Sequence, residues 1–164
     1  SYSLSFFCAP RYQQVALGFN YRMTDMQAAM GLGQMEKLDR IIESRRRLAR
    51  RYNEHFGDLD ALTTPVEPDY ARSNYQSYCV RLTEDAPLSR DKLMQALLDR
   101  GISSRRGIMT IHREPAYAEM CRDVDMPITE RASDDSLLAP LYPQMTEEEQ
   151  DTVIRAVVEL GGGS

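Results

Sequence analysis

The sequence predicts an α+β fold in which a long N-terminal helix and a small, mostly antiparallel sheet are packed with further helices. Three observations predict it. Apolar side chains recur at the helical period from Thr24 to Gly57. Residues 76–82 alternate at the period of a half-buried strand. Two further helical stretches follow cap residues at Ser89 and Thr146. One strand signal set among helices, with no regular βαβ alternation, fits a sheet covered by helices rather than a doubly wound parallel sheet.

The first seventeen residues show neither period and read as a loop or an incomplete element. Thr24 and Gln27 then have the spacing of a capping box, in which each side chain satisfies a backbone N–H at a helix start. Behind it, Met26, Met30, Gln34, Leu38, Ile41, Ile42, Leu48, Tyr52 and Phe56 follow the helical period, and Gly57 is the expected C′ stop. Some thirty residues is long for a helix of a globular domain, so this one is expected to pack on more than its own fold. Pro65 and Pro68 mark 58–74 as a connection.

In the strand, Gln76, Tyr78, Val80 and Leu82 share one face, and Ser77, Cys79 and Arg81 the other. The helix after Ser89 should turn Leu93, Met94, Leu97 and Leu98 inward and end at Gly101. Ile102 and 108–111 suggest further short strands, and 114–121 one or two helical turns. A second capping box, Thr146 with Glu149, opens a last helix carrying Val153, Ile154, Val157 and Val158. Residues 161–164 (Gly-Gly-Gly-Ser) read as a flexible tail. No internal repeat is visible.

Composition limits the function classes. The chain has 164 residues, enough for one domain with its own core, and 42% hydrophobic and 27% charged residues. A net charge of -5 argues against binding nucleic-acid phosphates. No apolar run reaches the ~20 residues that span a bilayer, and the opening residues lack the pattern of a signal peptide. Cys8, Cys79 and Cys121 are too widely spaced for a disulfide framework or a zinc site, which fits a reducing, cytoplasmic setting with no metal centre. The lysines number only two, Lys37 and Lys92.

Several motifs have structural readings. Gly31-Leu32-Gly33 has Glu36 where a dinucleotide fingerprint needs its third glycine, and it lies in a helix; with Ala28 and Ala29 it would instead allow close approach of another helix or chain. Arg45, Arg46, Arg47, Arg50 and Arg51 are interspersed with acidic residues and read as a solvated face. His55 suits a helix C-terminus. His112 follows an apolar run, but one titratable group does not make a site.

The segment Gly18-Phe19-Asn20-Tyr21-Arg22-Met23-Thr24-Asp25 is different. Asn20 and Arg22 bring an amide and a planar guanidinium to a helix start, where unpaired N–H groups favour anions. The residues are compatible with an anion site and equally with a capping loop that carries a surface Asn and Arg.

That segment, continued to Gly31, resembles the DegT/DnrJ/StrS family of nucleotide-sugar aminotransferases. So do Tyr75-Gln76-Ser77-Tyr78, the stretch from Gly101-Ile102 through Arg105-Arg106-Gly107-Ile108 to His112, Pro115 and Tyr117, and Leu138-Ala139-Pro140-Leu141-Tyr142-Pro143. The four occur in the family's order and span nearly the whole chain.

The resemblance implies that residues 1–164 are the C-terminal (small) domain of a fold-type I aminotransferase that uses pyridoxal 5'-phosphate (PLP). Residues 1–23 would be its linking and active-site loop. Asn20 resembles the residue that reaches the neighbouring subunit's PLP phosphate. Arg22 resembles a contact to the substrate's phosphate or carboxylate groups. Tyr21 and His112 would line the same region, with Arg105 and Arg106 on the substrate side. The family's Schiff-base lysine is expected upstream, in a PLP-bearing N-terminal domain that would be the chain's partner beside a homodimer mate. Neither Lys37 nor Lys92 matches it, so this chain is expected to hold no catalytic lysine, to be inactive alone and not to retain PLP. The implied reaction moves an amino group, with glutamate as expected donor, to a keto sugar-nucleotide in polysaccharide or glycoside biosynthesis. The other reading is a non-catalytic dimerisation or interaction module derived from that family.

Overall fold

The computed structural model describes residues 18, 19 and 21–162; Asn20, Cys8, the expected loop over 1–17 and the last two tail residues lie outside the described residues. The chain divides into two compact units, 1–36 and 37–164. In the first, helix α1 runs Asp25–Met35 behind the expected capping box: Gln27 N–H donates to Thr24 Oγ1 (3.3 Å), and Thr24 N–H to Gln27 Oε1 (2.9 Å). None of its residues is buried.

The helix expected to be continuous from Thr24 to Gly57 is two helices in the structure. Glu36 and Lys37 form a turn, and α2 runs Leu38–Phe56. The physical reason lies in α1 itself. Gly31 and Gly33 each cost roughly 1 kcal/mol against alanine in a helix interior, and no buried side chain holds α1 against that loss. Gly57 closes α2 as its C-cap in right-handed helical geometry (φ −64°), not as the left-handed C′ residue expected.

The second unit is an α+β layer structure. Strands β1 (Leu62–Thr63), β2 (Tyr78–Leu82), β3 (Arg105–Arg106) and β4 (Ser136–Ala139) form one antiparallel sheet in the order β1-β2-β4-β3. Tyr78, Val80 and Leu82 face the core, while Cys79 and Arg81 are exposed, as the alternation predicts. Helices α2, α3 (Arg90–Asp99) and α5 (Glu147–Leu160) complete that core with Leu48, Tyr52, Phe56, Leu93, Leu97, Val153, Ile154 and Val157. Met94 packs against it, whereas Leu98 is exposed.

The Tyr52 ring stacks on Phe56 at 5.1 Å and meets Tyr78 at 4.9 Å. Both phenols are hydrogen-bonded, Tyr52 to the Pro140 carbonyl (2.8 Å) and Tyr78 to Asn53 Oδ1 (2.6 Å), so neither leaves a polar group stranded. Burial pushes both phenol pKa values up. The buried amide of Gln150 donates to the Leu48 carbonyl (2.8 Å) and accepts from Arg51 (3.3 Å).

The helix ends follow the sequence signals in part. At α5 the box of Thr146 and Glu149 is formed. Ser89 is the N-cap of α3 but makes no side-chain cap bond. At its other end, Gly101 (φ +78°) donates to Leu98 O (2.8 Å) and Ile102 N–H to Leu97 O (2.9 Å), a Schellman closure that packs Ile102 beside Leu97.

The remaining short elements differ from expectation. The third strand is Arg105–Arg106, not Ile102 or 108–111. Ile111–Arg113 and Pro115–Tyr117 are single 3-10 turns. Helix α4 (Pro127–Asp135), β1 and β4 carry no clear period in the sequence. The arginine run is not uniformly solvated either: Arg46 forks onto Glu67 (2.6 and 2.8 Å) and donates to the Ser73 carbonyl (2.7 Å), clamping the connection before β2. Tyr75, at φ +43°, lies within that clamp, its ring 5.8 Å from the Arg46 guanidinium carbon. Among the described residues no helix is long and apolar enough to cross a membrane.

Candidate functional site

The residues proposed from sequence fall in both units. In the first, Tyr21 and Arg22 stand in irregular chain before α1, both exposed. The Phe19 and Tyr21 rings lie 5.8 Å apart with their planes tilted by 45°. Thr24, at φ −75° and ψ 158°, turns the chain into the helix.

This helix start is a poorer anion cradle than its position suggests. The capping box takes the Gln27 N–H, and Asp25 puts a carboxylate in the first turn. That carboxylate complements the helix dipole and opposes a second anion there. The cationic side chain of this segment is that of Arg22. Asn20, proposed for the cofactor phosphate, lies outside the described residues.

His112 sits in the second unit, in the 3-10 turn Ile111–Arg113, with its side chain 9% exposed. Its Nε2 is 2.7 Å from Glu130 Oε1. Glu130 Oε2 accepts from Arg113 (2.6 Å), and Arg113 donates through a second nitrogen to both Asp134 oxygens (2.9 and 2.8 Å). The His112 hydrogen bond, then that of Arg113, holds the Glu130 carboxyl below its usual range. Arg113 does the same to Asp134.

Sequence reasoning singled out His112 and missed these partners. The signal was present but faint: Glu130 and Asp134 are four residues apart, which places two carboxylates on one face of α4. The other half of the interaction comes from a turn with no periodic pattern.

Arg105 and Arg106 form β3, register with Leu138 and Leu137, and are exposed. Arg106 comes within 3.6 Å of Asp91. Beside them the Arg90 guanidinium donates to Ser133 O (3.2 Å) and Ser136 O (3.4 Å), so it serves the carbonyls at the end of α4. Open hollows adjoin α3, one of about 400 Å³ at its N-terminal end lined by Ser89, Arg90, Asp91 and Asp134, and one of about 400 Å³ farther along it lined by Met94, Leu98, Ser103 and Arg106.

A PLP enzyme needs a lysine amine in an enclosed site to carry the cofactor. Lys37 lies in the exposed turn before α2 and Lys92 on the exposed face of α3. Neither fits that role. The other residues proposed from the sequence are Arg22 and Tyr21, exposed in the first unit, and His112, in its cluster with Glu130 and Arg113 in the second.

Comparison with known proteins identifies the family of the chain. The model of the DegT/DnrJ/EryC1/StrS aminotransferase family matches residues 4–158. A GDP-perosamine synthase of Caulobacter vibrioides is 36% identical over 148 residues, covering 90% of this chain and 40% of the relative. The chain thus spans about two fifths of the length of that relative. Among solved structures, S. venezuelae DesV, crystallised in complex with a ketimine intermediate, is similar with a TM-score of 0.83 at 26% identity, covering 94% of this chain and 41% of DesV. The aminotransferase TlmJ from Streptoalloteichus hindustanus is similar with a TM-score of 0.78 at 28% identity, covering 90% of this chain and 39% of TlmJ.

Proposed function

The chain belongs to the DegT/DnrJ/EryC1/StrS aminotransferase family, and from that premise we propose that it is the C-terminal domain of an enzyme moving an amino group from glutamate to a keto sugar-nucleotide. The family's members are PLP-dependent sugar aminotransferases. The observation that carries the substrate class is the 36% identity to a GDP-perosamine synthase, whose name specifies a nucleotide-linked amino sugar. The pathway class is polysaccharide or glycoside biosynthesis, in the cytoplasm.

In this reading the domain supplies recognition, and a PLP-bearing N-terminal domain supplies the lysine. Asn20 takes the cofactor phosphate of the neighbouring subunit in a homodimer. Arg22 takes an anionic group of the sugar nucleotide through its two-pronged guanidinium. Tyr21 and His112 line the substrate side. PLP, when bound, supplies the electron sink and carries the amino group between donor and acceptor. Exposed Met26, Met30, Leu32 and Met35 on α1 support a surface that other protein covers in the assembled enzyme. The domain alone is expected neither to retain PLP nor to turn over substrate.

The test uses the full-length protein with glutamate and a panel of keto sugar nucleotides. Arg22→Ala should raise KM for the accepted nucleotide about ten- to a hundredfold, the range for a lost charge-assisted hydrogen bond, while PLP affinity changes less. An unchanged KM overturns the role of Arg22. Absence of amino transfer to every nucleotide in the panel overturns the substrate class.

A further inference from the structure

The His112 cluster contains a detail that the family resemblance does not supply. Glu130 faces His112 with one carboxylate oxygen and Arg113 with the other, at 2.7 and 2.6 Å. Both distances are short, as for charge-assisted hydrogen bonds. Arg113 is further fixed by both oxygens of Asp134. An ionised carboxylate only accepts, so the hydrogen between Glu130 and the imidazole must reside on Nε2. In the neutral ring Nδ1 then carries the lone pair.

The other ring nitrogen has no hydrogen-bond partner among the described residues. Buried side-chain polar atoms without a partner, among the described residues, are Arg45 Nε and Ser104 Oγ. Among the described residues the hydrogen bond of the His112 ring is to Glu130, through Nε2. The His112 side chain as a whole keeps 9% of its surface exposed.

We propose that Glu130, held by Arg113, is a positioning residue that locks His112 in the Nε2–H tautomer and so presents Nδ1 as a hydrogen-bond acceptor for a hydroxyl or N–H donor of the substrate. The ligand half of this statement rests on the reading that His112 lines the substrate site; the tautomer half does not. Arg113 and Asp134 act one step further out, by fixing which Glu130 oxygen is left for the ring.

The experiment exploits the chemistry of Glu130→Gln. Arg113 can only donate, so the carboxamide oxygen of the new side chain must turn to it, and the carboxamide NH2 then meets His112. That arrangement forces Nε2 to accept and moves the hydrogen to Nδ1. The full-length protein is labelled with 15N-histidine, and the His112 signals are assigned by their loss in His112→Asn. Spectra are taken above pH ~9, beyond the ordinary imidazole range. Wild type should show a protonated Nε2 and a bare Nδ1, and Glu130→Gln the reverse.

Kinetics on the same two proteins give the second readout. KM for the sugar nucleotide should rise about fivefold in Glu130→Gln, with kcat changed less, as for one lost neutral hydrogen bond. A His112 tautomer unmoved by Glu130→Gln overturns the positioning role, whatever the kinetics. A reversed tautomer with unchanged KM overturns the reading of His112 as a substrate contact, and with it the assignment of Nδ1 as the acceptor.

Discussion

Helices α1 and α2 are separated by two residues yet are stabilised by opposite means. In α1 the apolar residues Met26, Met30, Leu32 and Met35 are all 63% exposed or more, and the helix start is fixed by a complete capping box. In α2 the N-cap Lys37 makes no side-chain cap bond, but Leu48, Ala49, Tyr52 and Phe56 are essentially inaccessible. The comparison teaches that a clear local start signal and a share in the core are independent properties. An eleven-residue helix is marginal in water on local terms alone, whereas α2 draws on burial and dispersion contacts.

The largest expected effect tests that contrast directly. Phe56→Ala removes a fully buried ring stacked on Tyr52, and should cost about 3–5 kcal/mol in urea unfolding of the chain. Met30→Ala removes a side chain of similar apolar character that is 71% exposed, and should stay within about 0.5 kcal/mol of wild type. Equal losses from the two substitutions would break the comparison, because they would mean that α1 is buried in solution.

The same contrast explains what was legible in the sequence. Where one residue type decides a local geometry, the reading is sound: both capping boxes, Gly101 as the stop of α3, and the inward set Tyr78, Val80 and Leu82 are all present. Where partners are distant in sequence, it is not. The break at Glu36–Lys37 was hidden because the apolar period continues across it, although only the C-terminal half of that run reaches a core. Arg46 looked solvated because Glu67 and Ser73 lie more than twenty residues away. Strands β1 and β3 are two residues each, too short for any period to register.

At the candidate site the same limit applies. His112 and Arg22 were proposed through the family resemblance. Glu130, Arg113 and Asp134 become partners only when α4 is brought to the turn Ile111–Arg113.

A middle-sized effect sharpens the contrast by holding the chemistry constant. Thr146 and Thr24 head the same kind of box on α5 and α1. Thr146→Ala should lower the global stability of the chain by about 1 kcal/mol, because α5 contributes Val153, Ile154 and Val157 to the core. Thr24→Ala removes an equivalent cap from a helix with no buried residue. Its loss should appear as faster amide hydrogen exchange across residues 25–35, with little change in the urea midpoint. A midpoint shift as large as that of Thr146→Ala would show that α1 unfolds together with the second unit.

The smallest effect is a pH dependence confined to the clamp on the second unit. The Arg46 side-chain hydrogen bond, with that of the Ser73 N–H, holds the Glu67 carboxyl down to about 2 from 4.5. Because the folded value is the lower one, the stabilisation by Glu67 is present in full above pH 4.5 and disappears as pH falls towards 2. Wild type should therefore exceed Glu67→Gln in unfolding free energy at neutral pH, and the two should converge across that acid window. The clamp is part-exposed, so solvent and salt screen it, and added salt should shrink the neutral-pH difference. A difference that persists unchanged to pH 2 would mean that Glu67 acts through packing rather than charge. The connection before β2 would then be held by Tyr75 and its neighbours instead of by the Arg46 fork.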